Sequence, residues 1–414
     1  MTPPETQAAE CILYTSWVLD QAHRLMPMGD TMKTEPITLD SLLADGFTRR
    51  RAKEYLDILS WEESSGLFDS AYLAWAHKNG FCAESACAYG LTEDNLGDYL
   101  SDYDYWRLWP LNSWQRIWIN DKLTLNALLE GSDLAGYLPV YFYYSRPEEG
   151  LLPLSGSGYV PGFEGLLDCL RREGSFACKP CNGSTSAGFH HLEFHGGAFR
   201  VDGEEVTSGG IEEFVSSHPN YVFTEFIRPE ASLAAINPLI HTLRALVINP
   251  TGTQPIPTIA YLRFGLEDGS EGTGANYVAP TNSDICSYNV EVDLASGGYG
   301  NGRLVYANRV VDSPRHPTSG VLAEGTLPRW DEAKEMLRRL SLKVGACEYL
   351  GFDACITDKG PKIMEINSHT GVKYLQLFHP IWKDETLAPY YREKLAAIDA
   401  LNDEARVRRN GIVR

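Results

Sequence analysis

Long apolar runs are missing from this chain. No stretch approaches the roughly 20 consecutive apolar residues that span a bilayer, so no membrane segment is expected. The opening MTPPETQAAECILYTSWVLD lacks a basic n-region and a cleavage pattern, which reads against export. Positive charge is also scarce: 36 Lys and Arg against 55 Asp and Glu leave a net charge of −19. Such a balance repels nucleic acid and anionic membranes, so no nucleic-acid partner is expected, and any phosphate must meet a local basic pocket. A disulfide framework is missing too. The nine cysteines are odd in number and widely scattered, which favours reduced thiols and a cytoplasmic location. Cys178 and Cys181 have zinc-knuckle spacing, but no second C-x-x-C completes four ligands and Pro180 sits between them.

What is there supports packed globular units. The chain has 414 residues, 43% hydrophobic and 22% charged, enough for two or three cores. Residues 1–119 lack strand-like alternation and carry Ala, Leu, Trp and Tyr at helical intervals, broken by Gly46, Gly80, Gly90 and Pro110. Their aromatics read as core. From Asn120 the texture changes. Asn120 is placed to cap a helix over DKLTLNALLEG, and GYLPVYFYY reads as a strand. A helix over Gly162–Arg172, a buried strand over Phe176–Lys179 and hairpins through HLEFHGGAFRVDGEEV follow. Strands are expected at YVFTEFI, TLRALVIN, IPTIAYLRFG, YNVEVDLASG and RLVYANRV, then a helix from about Pro328 to Val344. The final APYYREKLAAIDALNDEARVRR reads as one charged, solvated helix. Strands and helices alternate without a βαβ rhythm, so the fold class is α+β.

The stretch FDACITDKGPKIMEIN, Phe352–Asn367, concentrates chemistry. If Asp358-Lys359-Gly360 is a three-residue hairpin loop, Thr357 pairs with Pro361, Ala354 with Met364 and Asp353 with Glu365. Asn367 then shares a face with Glu365, while Phe352, Ala354, Ile356, Met364 and Ile366 turn to the core. Three oxygen donors on one face suit a magnesium ion, which takes carboxylate, phosphate and water oxygens. A solvated acidic hairpin fits the same residues.

Three further stretches are informative. In FACKPCNGSTSAGFHHLEF, Lys179 ends a strand and a loop of small residues follows, including Gly183, Ser184, Thr185, Ser186 and Gly188. Successive N–H groups in such a loop cradle phosphate beside a lysine. A plain connection is the alternative, and the order is not that of a Walker loop, because the lysine precedes the glycines. In YVFTEFIRPEASL, a strand ending at Glu225-Phe226-Ile227 offers backbone groups and a carboxylate to an adenine or ribose edge. In HTLRALVI, Arg244 lies among apolar neighbours and needs an exposed edge or an anion, either a phosphate or a structural carboxylate.

The order of these parts, Lys122, Lys179 with its loop, Glu225, Arg244, then Asp353…Glu365-x-Asn367, resembles the ATP-grasp superfamily from about Asn120 to Gln376. The pieces INDKL, TLRALVI, RHPTSG, LPRWDEA and YLGFDACITDKGPKIMEIN are similar to its sugar-transfer-associated, alpha-L-glutamate-ligase-related branch. The resemblance implies a two-subdomain ATP-grasp fold: a mostly helical region over 1–119, a first subdomain with the phosphate loop over 120–220, a second with the metal site over 221–385, and a terminal helix over 386–414. It implies ATP and Mg²⁺ as cofactors, with Asp353, Glu365 and Asn367 as metal ligands. Lys122, Lys179 and the loop would hold phosphates, with Glu225, Phe226 and Ile227 on the adenine side. Arg244 and Lys179 would act in catalysis.

The reaction so implied joins a small carboxylate to an amine through an acyl phosphate, an amino acid or peptide being attached to a small acid or glycan precursor. A kinase acting on a sugar hydroxyl and a non-catalytic nucleotide binder remain alternatives. His316, His369 and Lys373 border the expected pocket and are candidates to touch substrate.

Overall fold

The computed structural model describes residues 37–147, 150–154, 159–182, 188–266 and 284–413. The described part opens with helices, as expected: α1 (Leu39–Ala44), α2 (Arg49–Ser65), α3 (Ser70–Lys78), α4 (Ala83–Tyr89), α5 (Asp102–Arg107) and α6 (Ile117–Asn120). Side-chain caps mark their starts. Asp69 accepts from the amides of Ala71 and Tyr72, both at 3.0 Å, and Ser101 from that of Asp104 at 3.1 Å. Gly66 and Gly90, both left-handed, end α2 and α4. The start of α4 is capped from a distance: Glu62, almost fully buried on α2, accepts from the amides of Ala83 and Glu84 at 2.8 and 2.9 Å.

α7 (Lys122–Leu129) follows directly. Its cap is Asp121, which accepts from Thr124 N at 2.7 Å. Asn120, expected in that role, ends α6 and accepts from the amide of Ser368 instead. The first sheet has seven antiparallel strands: β1 (Tyr141–Arg146), β2 (Gly150–Pro153), β3 (Ser175–Pro180), β4 (His190–His195), β5 (Ala198–Val201), β6 (Glu204–Val206) and β7 (Tyr221–Glu225). Their spatial order is β2-β1-β7-β3-β4-β5-β6. Because β7 pairs with β1 and β3, the expected boundary at residue 220 moves beyond Glu225. Two amphipathic helices, α8 (Phe163–Glu173) and α9 (Ser208–Ser217), share this sheet's core through Leu166, Leu170, Ile211 and Phe214.

After the short α10 (Ala231–Ala234) comes the second sheet. It runs β12 (Val310–Asp312), β11 (Gly298–Val305), β10 (Ser287–Val292), β9 (Ile256–Phe264), β8 (Thr242–Ile248), β14 (Tyr349–Thr357), β15 (Gly360–Asn367), with β13 (Gly325–Thr326) on β11. Both of its faces are covered. On one, Leu243, Ala245, Val247, Phe352 and Ala354 pack with α11 (Trp330–Lys343) and with Leu125 and Leu129 of α7. On the other, Leu246, Ile248, Tyr261 and Tyr349 pack with Tyr105 and Leu108 of the helical region, with Leu375 of α12 (Lys373–Gln376) and with α13 (Leu387–Asp399). Alternation along β8 and β14 therefore sends Arg244 and Asp353 toward the helical region. Every residue of β14 is buried as a result. Residues 39–414 form one compact unit.

Two further expectations need correcting. The β14–β15 loop has two residues, Asp358 and Lys359, because Thr357 pairs with Gly360. The resulting slip places Ala354 opposite Ile363, so Ile363 enters the core in place of Met364. A bulge at Met364 then restores the register, and Asp353 still faces Glu365. The chain's end forms two helices, α13 and α14 (Asp403–Asn410), where one was expected. Asn402 caps the second through Ala405 N at 2.9 Å. α13 is no solvated face: it buries Tyr390, Tyr391 and Ile398.

Candidate functional site

The backbone of Lys122 donates to Cys181 O at 2.9 Å, which seats the start of α7 against the end of β3. That bond brings two lysines, one on α7 and one on β3, toward the β14–β15 pair. Lys122 Nζ lies 3.5 Å from Glu365 Oε2. Lys179 is half-buried within the field of both Lys122 and Glu365. Burial, and then the charge of Lys122, push its ammonium down to about 8. An arriving anion would push it back up.

Opposite Asp353 on β8 stands Arg244. Its Nη2 donates to Asp353 Oδ2 at 2.9 Å, while Nε makes an ion pair with Oδ1 that lacks hydrogen-bond alignment. Nη1 donates to the hydroxyl of Thr370. Burial works against the guanidinium, but Asp353 holds it firmly charged. Asn367 Nδ2 reaches both carboxylates at 3.3 Å, Asp353 through Oδ2 and Glu365 through Oε1. Burial and the charge of Glu365 push Asp353 above its ordinary range against the pull of Arg244. Burial opposes the Glu365 carboxylate as well, yet Lys122, Arg244 and the hydrogen bond from Asn367 hold it below its ordinary range. Two acids, an amide and three cations thus converge from α7, β3, β8, β14 and β15.

This donor set suits a hard divalent ion. Two carboxylates and an amide carbonyl are oxygen ligands, and their mutual repulsion is relieved by positive charge. To ligate, Asn367 must turn its carbonyl inward in place of the amine. Among the described residues, no group of three or more His, Cys, Asp or Glu gathers as a metal cage. The cysteines described, including Cys178 and Cys181, are free.

A second feature lies where β7 ends. A cleft of about 540 Å³ is bounded by Glu225, Phe226, Ile227 and Arg228 on one side and by Thr357–Lys359 with Lys362 on the other. Glu225 bridges it, 3.2 Å from Lys359 Nζ. Phe226 is held flat against His191, with ring centroids 3.9 Å apart, and Arg228 covers it at 5.1 Å. Lys362 is committed to the carbonyls of Gly136 and Leu138 at 2.8 and 2.9 Å.

The family model for sugar-transfer-associated ATP-grasp proteins matches residues 162–381, just over half of the chain. The chain belongs to that family. No curated protein matches it. Among solved structures, it is similar to the D-alanine–D-alanine ligase of Bacillus anthracis, at 14% identity over 72% of this chain and 70% of that one, TM-score 0.34. The ATP-grasp ligase PsnB, complexed with a minimal precursor, matches at 13% over 69% and 63%, TM-score 0.34. D-alanyl-alanine synthetase A of Vibrio cholerae matches at 12% over 70% and 66%, TM-score 0.38. This ATP-grasp chain has the mixed helix-and-sheet fold and the helical N-terminal region that its sequence suggested.

Other sequence candidates in the ATP-grasp chain have local partners. His316 is buried: Nε2 meets Gly265 O at 2.7 Å, and Nδ1 accepts from Thr318 N and Ser319 N at 3.3 Å. Lys373, expected to meet an acidic substrate, pairs with Glu84 of α4. His369 stacks on Tyr105 with centroids 4.2 Å apart, and among the described residues neither of its ring nitrogens has a hydrogen-bond partner. Gly183, Ser184, Thr185 and Ser186 lie outside the described residues; Gly188, left-handed at φ 74°, abuts the Tyr221 hydroxyl. Sequence reasoning missed Thr370, Tyr105, Asn112 and Lys359. Only Lys359, in the hairpin turn, carried a local signal.

Proposed function

We propose that this ATP-grasp chain is an ATP-dependent carboxylate–amine ligase. The observation carrying this reading is the convergence of Asp353, Glu365 and Asn367 with Lys122, Lys179 and Arg244. The cleft at Glu225–Ile227 is its companion. In this reading the cleft takes the adenine and ribose, and the two lysines take phosphate oxygens. Asp353, Glu365 and Asn367 would hold Mg²⁺, which when bound neutralises charge on the phosphates. Arg244, fixed by Asp353, faces the transferring phosphoryl group and stabilises its charge.

The carboxylate acceptor attacks the γ-phosphorus, the bond to the bridging oxygen breaks, and ADP departs. An amine then attacks the acyl carbon, phosphate leaves with the former carboxylate oxygen, and the nitrogen gives up a proton. The substrates we favour are an amino acid or peptide as one partner and a small acid or glycan precursor as the other. The test is a screen of pooled carboxylates and amines for stimulated phosphate release, followed by mass spectrometry. Amide, ADP and phosphate in equal amounts support the ligase. A phosphorylated acceptor without free phosphate would replace it with a kinase, and ATP binding without turnover, with a binding module.

A further inference from the structure

We infer that Thr370 and Tyr105 are positioning residues for Arg244, so that the helical N-terminal region forms part of the catalytic centre. This rests on the ligase reading for the role of Arg244, and it adds what sets that role.

The Arg244 side chain ends in a planar guanidinium with five N–H donors. Nε and Nη2 engage Asp353, and Nη1 engages the Thr370 hydroxyl. Asp353, hydrogen-bonded through Nη2 alone, would leave the fork free to tilt about that bond. Thr370, bonded to the far nitrogen, stops that rotation and leaves one N–H on each terminal nitrogen unspent. Thr370 is itself 1% exposed and is fixed from two directions. Its carbonyl accepts from the hydroxyl of Tyr105, on α5, and from that of Tyr349 at 3.4 Å. Its side chain presses on β14 at Gly351. A Cβ there would come within 2.8 Å of all three of Thr370's side-chain atoms, so the glycine provides the recess.

The segment holding Thr370 is gripped along its length by the helical region. Asn120 Oδ1 accepts from Ser368 N at 3.1 Å, and Asn112 Nδ2 donates to Ser368 O at 3.2 Å. Glu84 pairs with Lys373. Gln376 Oε1 accepts from Leu100 N at 2.7 Å, and its Nε2 donates to Leu100 O at 3.0 Å. A segment that only closed the fold would not need anchors on both sides of one threonine whose hydroxyl touches the arginine. The chain of contact runs Tyr105, Thr370, Arg244, Asp353, from α5 to the metal-ligand strand.

Mg·ADP with fluoroaluminate, which mimics a phosphoryl group in transfer, tests this without knowledge of the acceptor. Affinities for Mg·ADP with and without fluoroaluminate are measured by calorimetry on the full chain, alongside slow ATP hydrolysis. Thr370→Val should lower affinity for the fluoroaluminate complex and kcat by about tenfold or more, leaving Mg·ADP affinity and KM for ATP unchanged. Thr370→Ser should restore both. Tyr105→Phe should show the same split at smaller size, because Tyr349 still faces the carbonyl. A Thr370→Val protein indistinguishable from wild type overturns the inference and leaves the ligase reading standing. Equal losses in both affinities would mean a merely structural role and also overturn it. If wild type itself gains nothing from fluoroaluminate, the ligase reading fails and the inference falls with it.

Discussion

Replacing Glu365 with Gln separates the chemistry of the site from its contribution to folding. The change keeps the side chain's shape and removes one charge. At 3.5 Å the lost attraction to Lys122 is about 5 kcal/mol in a medium of effective dielectric about 20. The same change removes repulsion from Asp353. Directly opposed side chains lie about 5 Å apart across a strand pair, worth about 3 kcal/mol on the same footing. The burial penalty on the Glu365 carboxylate disappears as well. These opposing effects leave a net destabilisation of about 1–2 kcal/mol at most, a melting shift of a few degrees. Turnover has no such compensation. In its proposed role a carboxylate ligand and its negative charge are gone, and a loss of about 3–4 kcal/mol in transition-state stabilisation lowers the rate by about 10²–10³. The assay is phosphate release from ATP across a magnesium titration, with thermal unfolding run in parallel. Wild-type turnover in the folded variant would refute the metal assignment. Loss of the cooperative melt would refute the balance of charges.

Lys179→Ala should weaken ATP binding by at least about tenfold by calorimetry; unchanged affinity would make the strand and its loop a plain connection. Because burial and Lys122 bring Lys179 down to about 8, ATP affinity in wild type should be flat below pH 8 and fall above it, as the ammonium loses its proton before binding. Lys179→Arg, which stays charged, should flatten that fall. For stability the sign is opposite: the folded state disfavours the charged amine, so the penalty is full below pH 8 and fades as pH climbs toward the unfolded value. Asn112→Ala should destabilise by about 3 kcal/mol, seen as a melting drop of about 6 °C. It would strand the amides of Glu348 and Tyr349 and the carbonyls of Tyr349 and Ser368, which Asn112 now satisfies. A melt within one degree of wild type would mean that water replaces it.

Most elements were legible because their signals are local. Gly46, Gly80 and Gly90 break the first helices, and short runs of apolar and β-branched residues mark β8 and β9. The pairing of Asp353 with Glu365 was reached through a wrong turn: a two-residue loop and a bulge at Met364 compensate each other. Periodicity carries no record of a bulge, since the extra residue shifts the pattern only once. Asn120 was misread for a similar reason. It and Asp121 are both good caps, and only the approach of Ser368 N decides between them. The C-terminal helix was taken for a solvated face because Tyr390 and Tyr391 sit among charged residues, while their cover, Tyr349, lies far away in sequence.

From its residues alone this chain determined the order of lysines, glutamate, arginine and E-x-N, and with them the family and the kind of ligand to look for. Those are matters of residue type and spacing along one strand or turn. Tertiary structure decided what each cation answers to: Lys373 answers to Glu84, and Arg244 to Asp353 and Thr370. It also decided that both faces of the second sheet are covered, which buries Asp353 and brings α5 to the site. Such pairings join residues more than a hundred positions apart, and a charge's partner at that separation is set by packing geometry, which leaves no periodic trace along the chain.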